Sequence, residues 1–161
     1  MRKILLMGTI LVGTIVSPLV VSASTMNKAH CYQAEEYMRQ ASVKRLEESK
    51  EDLEERRVTG DLLTAFGGVH YFGNQKETYY NLEMSGVVKI MRDAGFSEED
   101  YPYWVRDDGV KMLGDYVMIA ADLGVHPRGS IVNTSLGLAL VCDTGEFALY
   151  NPYQVDIAVT W

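Results

Sequence analysis

The feature that most constrains this chain is the way its apolar segments are cut short. Beyond residue 68 they run Val69 to Phe72, Tyr116 to Ala121, Ser130 to Thr134, Leu138 to Cys142 and Val155 to Trp161, separated by Gly, Pro, Asp and Asn. Segments of that length are strand-sized and too short for buried helices, so the region reads as short strands joined by turns, and the fold class as mainly β with a small barrel. One helix is expected among them. Ser85 to Ala94 places Val87, Ile90, Met91 and Ala94 on one face, and Gly95 follows as a C-cap. Ser97-Glu98-Glu99-Asp100 then reads as a second helix start or a turn, leading to Tyr101, Tyr103 and Trp104.

The first part of the chain has a different character. Arg2 and Lys3, an uncharged run from Ile4 to Val20, and Val21-Ser22-Ala23 have the order of a secretory signal peptide over residues 1–23. An uncleaved membrane anchor is the alternative, because about 20 apolar residues can span a bilayer. Either implies a secreted protein, or one held at the extracytoplasmic face. Asn27 to Val58 contains no Gly or Pro and is dense in Glu, Lys, Arg and Gln, which predicts a solvated helix. Its apolar stripe, Ala34, Met38, Ala41, Leu46 and Leu53, is narrow. Residues 24–60 therefore read as a charged stalk, with weak helix–helix association through 27–58 as its one partner role. Gly60 and Gly67-Gly68 place a domain boundary between residues 59 and 68, and residues 61–161 form the β domain.

Charge and cysteine content remove several function classes. Without Arg2 and Lys3 the 15 bases fall to 13 against 22 acids, a net charge of −9, so nucleic acid is not an expected partner. Cys31 and Cys142 lie 111 positions apart and form no disulfide framework, and Cys142, in an apolar run, is expected to be buried. His30, His70 and His126 are scattered, so no metal or other cofactor is expected.

The chemistry-bearing candidates are three aspartates at strand edges: Asp122 after YVMIAA, Asp143 after LALVC, and Asp156 within Val155-Asp156-Ile157. An Asp at a strand end is ordinarily a turn residue. Asp156, however, stands inside an apolar strand, where a carboxyl faces either solvent or a cleft that would raise its pKa. Asp143-Thr144-Gly145 after an apolar pair is also an aspartic-protease signature, but only 18 residues follow Asp143, too few for a protease half-barrel.

The order Ala120-Ala121-Asp122, His126-Pro127-Arg128-Gly129, Cys142-Asp143-Thr144-Gly145 and Val155-Asp156-Ile157 resembles the three-aspartate (3D) domain of bacterial cell-wall proteins. That family is similar to the membrane-bound type A lytic transglycosylases and the muralytic stationary-phase-survival proteins of endospore formers. The resemblance implies a six-stranded double-psi β-barrel, here with an inserted helical segment and preceded by the charged helix. It also implies cleavage of the MurNAc–GlcNAc bond of peptidoglycan glycan strands without a cofactor. Asp156 would be the acid and base, Asp143 its neighbour, and Asp122, Thr144 and Gly145 supporting residues. Glu146 stands where the family usually has Gly, which introduces a second candidate acid. A non-catalytic barrel that binds glycan or a wall partner is the competing expectation, since folds outlive their reactions.

Overall fold

A computed structural model of the chain describes residues 23–161, and the expected signal segment lies, apart from Ala23, outside them. Helix α1 spans Ala23–Thr59. It ends where Gly60 takes the left-handed conformation (φ +76°) that a residue with a Cβ rarely adopts. Among the described residues, no helix is long and apolar enough to cross a membrane.

The described residues divide into two compact units, with the division between Arg39 and Gln40. In the first, the described α1 side chains are exposed, with ion pairs such as Arg39–Glu36 along the helix. The second unit begins inside α1, well before the boundary expected at 59–68. Its helical stretch is not a free spacer: Leu53 is buried, the Ser49 hydroxyl accepts the Leu138 N–H (3.0 Å), and Arg57 pairs with Asp108 (2.9 Å). Of the narrow stripe that looked like a stalk, Ala34, Met38 and Ala41 stay exposed, while Leu46 is half-buried and Leu53 supplies the buried apolar contact, with polar side chains the rest.

The rest of this unit is mainly β. Eight strands are formed: β1 (His70–Phe72), β2 (Gln75–Tyr80), β3 (Tyr103–Val105), β4 (Lys111–Leu113), β5 (Tyr116–Ala120), β6 (Ile131–Thr134), β7 (Gly137–Asp143) and β8 (Val155–Ala158). They make one mixed sheet in the order β1-β2-β8-β5-β4-β3, with β7 joined to β5 and β6 to β7. The path is open at β1, β3 and β6. Two of the pairings, β2 with β8 and β5 with β7, are parallel, and the others are antiparallel.

Helix α2 (Ser85–Asp93) forms as expected and closes at Gly95 (φ +98°). Its buried face is rotated from the predicted one: Met84, Val87 and Met91 are buried, whereas Ile90 is exposed. Of the two expectations for residues 97–100 the turn is the one formed, Ser97 Oγ accepting the Asp100 N–H (3.1 Å), and residues 103–105 then enter the sheet.

Strand alternation separates two apolar clusters. Val117, Ile119, Val141, Val155 and Ile157 lie in one, beneath Leu63 and Leu136. Met118, Leu140, Cys142 and Ala158 lie in the other, covered by Met84, Val87 and Met91 of the α2 segment.

Candidate functional site

Two parallel pairings, β2–β8 and β5–β7, and the antiparallel pairing β5–β8 bring four strand positions into one row. Ala120 of β5 pairs with Asp143 of β7 on one side and with Asp156 of β8 on the other, and Asp156 pairs in turn with Thr78 of β2. Two strand spacings place the Asp143 and Asp156 Cα atoms roughly 10 Å apart. The register slips by one residue between Ile119 and Ala120, and this slip brings Asp143 rather than Cys142 into the row.

Asp156 is half-buried. It is not an unpaired carboxyl in an apolar strand, because Thr78 Oγ1 donates to its Oδ1 and the buried Gln154 donates Nε2–H to the same oxygen (2.9 Å). Gln154 Nε2 also reaches Thr78 Oγ1 (3.0 Å), so the three side chains hold one another in a fixed triangle. Both donors meet Oδ1, which leaves Oδ2 as the oxygen with which a ligand can exchange a proton.

Tyr80 stands one turn of the pleat from Thr78, on the same face. Its Oη is buried and has no hydrogen-bond partner. Burial pushes the phenol well above its ordinary pKa, and the nearby charges of Asp143, Cys142 and Asp156 push it further. It is therefore a neutral phenol within electrostatic reach of both aspartates. Beside them, Arg128 donates Nη1–H to the Cys142 carbonyl. The Cys142 thiol is pushed up to about 12 by burial, with Arg128 acting in the opposite direction. At neutral pH it is a protonated core residue and no nucleophile.

The remaining sequence candidates fall outside this row. Asp122 braces a turn: its Oδ1 accepts the Gly124 N–H (2.7 Å) and its carbonyl accepts the His126 N–H (2.7 Å). Thr144 and Glu146 are exposed, Gly145 is extended, and Glu146 opens a short 3-10 turn, Glu146–Leu149. Among the described residues no hydrogen bond joins Thr144 or Glu146 to Asp156.

Thr78, Tyr80, Gln154 and Arg128 were not singled out by the sequence reading as members of the site. Two of them, Thr78 and Tyr80, depend on β2 and β8 being parallel neighbours, although residues 77 to 80 and 155 to 158 are far apart in the chain. The one local signal is Gln154, two residues before Asp156 and so on the same strand face. Among the described residues no group of three His, Cys, Asp or Glu side chains is placed to hold a metal ion. No family model matches the chain, and neither a curated protein nor a solved structure matches it.

Proposed function

We propose that the protein is an exported lytic transglycosylase that cleaves peptidoglycan glycan strands between MurNAc and GlcNAc, with Asp156 as the single general acid and base. The observation that carries the reading is the row Asp143–Ala120–Asp156–Thr78, in which one carboxyl is held at a single oxygen by Thr78 and Gln154 while a second carboxyl stands two strands away. In the reaction Asp156 gives its proton to the glycosidic oxygen as the bond to the anomeric carbon breaks. It then takes the proton of the MurNAc C6 hydroxyl as that oxygen closes onto the same carbon. The products are a free GlcNAc hydroxyl and a 1,6-anhydro MurNAc end, and the aspartate returns to its starting protonation state. Asp143 shapes the potential in which Asp156 works, and the neutral Tyr80 phenol provides a hydrogen-bond donor beside both.

The finer fold reading belongs to the same proposal. Setting aside the edge strands β1 and β3 leaves six strands, and the parallel pairs β2–β8 and β5–β7 support an arrangement of the double-psi barrel type over a simple meander. Secretion through residues 1–23 completes the reading, since the substrate lies outside the cytoplasm.

The test is incubation of the purified protein with peptidoglycan, followed by mass spectrometry of the released muropeptides. Anhydro ends are expected. Reducing ends would make the enzyme a hydrolase, in which case the two carboxyls would divide acid and base between them. No release would leave a binding module.

A further inference from the structure

The turn that follows α1 carries an exposed ring beside an apolar pocket. Phe66 is fully exposed, and the turn under it is fixed by hydrogen bonds on both sides. Thr64 Oγ1 accepts the Gly67 N–H (3.0 Å), the Thr64 carbonyl accepts the Gly68 N–H (3.0 Å), and Tyr79 Oη donates to the Ala65 carbonyl (3.3 Å). Gly68 leaves the turn in the left-handed conformation (φ +70°). A single exposed apolar side chain is ordinary. What sets Phe66 apart is its neighbour, since Ala65 lines a pocket of about 430 Å³ whose apolar walls are Leu62, Leu63, Val110, Leu136 and Trp161. Leu63, Val110 and Leu136 are core residues, so the pocket opens onto the packed interior. Its two charged side chains, Arg57 and Asp108, are paired with each other (2.9 Å), and Trp161 Nε1–H is given to the Asp108 carbonyl (2.8 Å). A charged ligand finds no unpaired charge there, whereas an aromatic ring finds a matching floor.

Ring and pocket lie side by side on one surface, which decides what can occupy them. An unrelated partner would have to bring both a cavity for Phe66 and an apolar group for the pocket. A second copy of this chain brings both, and a two-fold axis between ring and pocket makes the two contacts together and closes the assembly at two chains. We infer that this face is a homodimer interface, in which Phe66 of each copy enters the pocket formed by Leu62, Leu63, Val110, Leu136 and Trp161 of the other. Each inserted ring buries about 150–250 Å² and covers a similar area of pocket wall, so the two contacts bury about 600–1,000 Å² in all. A standard stable interface buries about 1,200–2,000 Å². The dimer is therefore reversible, with a dissociation constant of about 10 µM to 1 mM. Val155 and Ile157 lie in the same cluster as Leu63 and Leu136, and Asp156, between them in β8, points to the opposite face of the sheet. The contact leaves that face open, and the inference does not rest on the glycan reading.

The test is sedimentation equilibrium of the full-length protein across the expected constant, from about 5 µM to about 1 mM. The mass should rise from one chain to two, and a sample mixing labelled and unlabelled protein should show intermolecular nuclear Overhauser contacts from the Phe66 ring to the Leu62 and Val110 methyls. Phe66→Ser should weaken dimerisation by about tenfold or more. The melting temperature of the dilute protein should not change, because a fully exposed ring gives up nothing in the single chain. Ala65→Glu, which puts a carboxylate at the pocket, should weaken dimerisation likewise. Mixed in equal amounts the two variants should associate more strongly than either alone, since Phe66→Ser keeps a pocket and Ala65→Glu keeps a ring. A protein still monomeric at about 1 mM would overturn the inference. So would a dimer that Phe66→Ser leaves intact, which is the outcome expected of association through residues 27–58. A monomer that sediments with phosphatidylcholine vesicles, and loses them on Phe66→Ser, would also overturn it and make the ring a membrane contact.

Discussion

Glu77 and Asp156 are carboxylates on neighbouring strands, one residue apart in register, and they have opposite surroundings. Glu77 pairs with Val155, the residue before Asp156, and faces the cluster that contains Leu63 and Leu136. It is fully buried, and both its oxygens are occupied: Oε1 accepts the Ser135 N–H (2.9 Å) and Gln75 Nε2–H (3.2 Å), and Oε2 accepts the Ser135 hydroxyl. Ser135 Oγ in turn accepts the Leu63 N–H (3.0 Å). Glu77 thus ties β2 to the β6–β7 turn and to the segment after α1. Asp156, on the other face, is half-buried and receives its donors at one oxygen only. Burial of a carboxylate therefore does not mark the site here. A carboxylate with both oxygens satisfied is a clamp, and one with an oxygen left over can do chemistry.

The largest expected effect follows from the open oxygen. Asp156→Asn keeps the shape and the Thr78 contact but has no carboxyl proton to give, so muropeptide release should fall by about 10²–10⁴-fold or more with melting temperature little changed. Asp143→Asn should reduce release less. Glu146→Gln, on an exposed residue outside the row, should leave it near the parent level. An active Asp156→Asn beside a dead Glu146→Gln would reverse the comparison and make the exposed turn the site. Glu77→Ala should show the opposite pattern, losing about 3–5 kcal/mol of stability in urea unfolding, because the Ser135 N–H and hydroxyl are left buried without an acceptor. If Glu77→Ala folded as stably as the parent, Glu77 would not be a clamp.

These two carboxylates also show what could be read from the chain. Helix α1, helix α2 and the apolar strands were legible because composition and period agree with the structure: Tyr116–Ala120, Ile131–Thr134 and Gly137–Asp143 lie within a residue of the expected bounds. Strand β2 was not, because QKETYY has its most buried position at a glutamate, and the period-2 reading assigns charged residues to solvent. Missing β2 meant missing Thr78 and Tyr80, half of the polar frame around Asp156. Strands β3 and β4 went unread for another reason. Each is three residues long and is made by pairing with its neighbour more than by any pattern of its own. The docking of α1 was hidden because it uses one leucine and several polar contacts, where a sequence reading looks for a wide apolar stripe. Asp143 and Asp156 were found as candidates, but their sharing of one row through Ala120 is a property of strand order, which local sequence does not carry.

Tyr80 sharpens the comparison at a smaller scale. A buried phenol with no partner is a cost to the fold, so Tyr80→Phe should leave stability unchanged or raise it by about 1 kcal/mol. If the hydroxyl serves the ligand between the two aspartates, the same variant should lose about tenfold in release rate, the worth of one hydrogen bond of roughly 1.4 kcal/mol. A variant that gained stability and kept its rate would make Tyr80 a packing residue only.

Asp108 tests the clamp side of the comparison where solvent intrudes, and its effect should be the smallest. Partial burial raises the pKa of Asp108, but hydrogen bonds and charge from Arg106, with Val110 N–H and Arg57 added, hold it below the ordinary carboxylate value. Because the folded pKa is the lower one, the contribution to stability is fully present above the unfolded pKa of about 3.9 and is lost as pH falls through the folded value. The pair with Arg57 joins α1 to the turn before β4, and both side chains remain partly exposed, so its worth is about 0.5–1 kcal/mol. Asp108→Asn should therefore be less stable than the parent by that amount at pH 7, with the gap closing below about pH 4 as the parent's carboxylate is protonated. Urea unfolding of both proteins at pH 7 and pH 3 measures it. A gap that persisted unchanged at pH 3 would mean that Asp108 acts through its shape and not its charge, and that its ion pair does not hold α1 to the sheet.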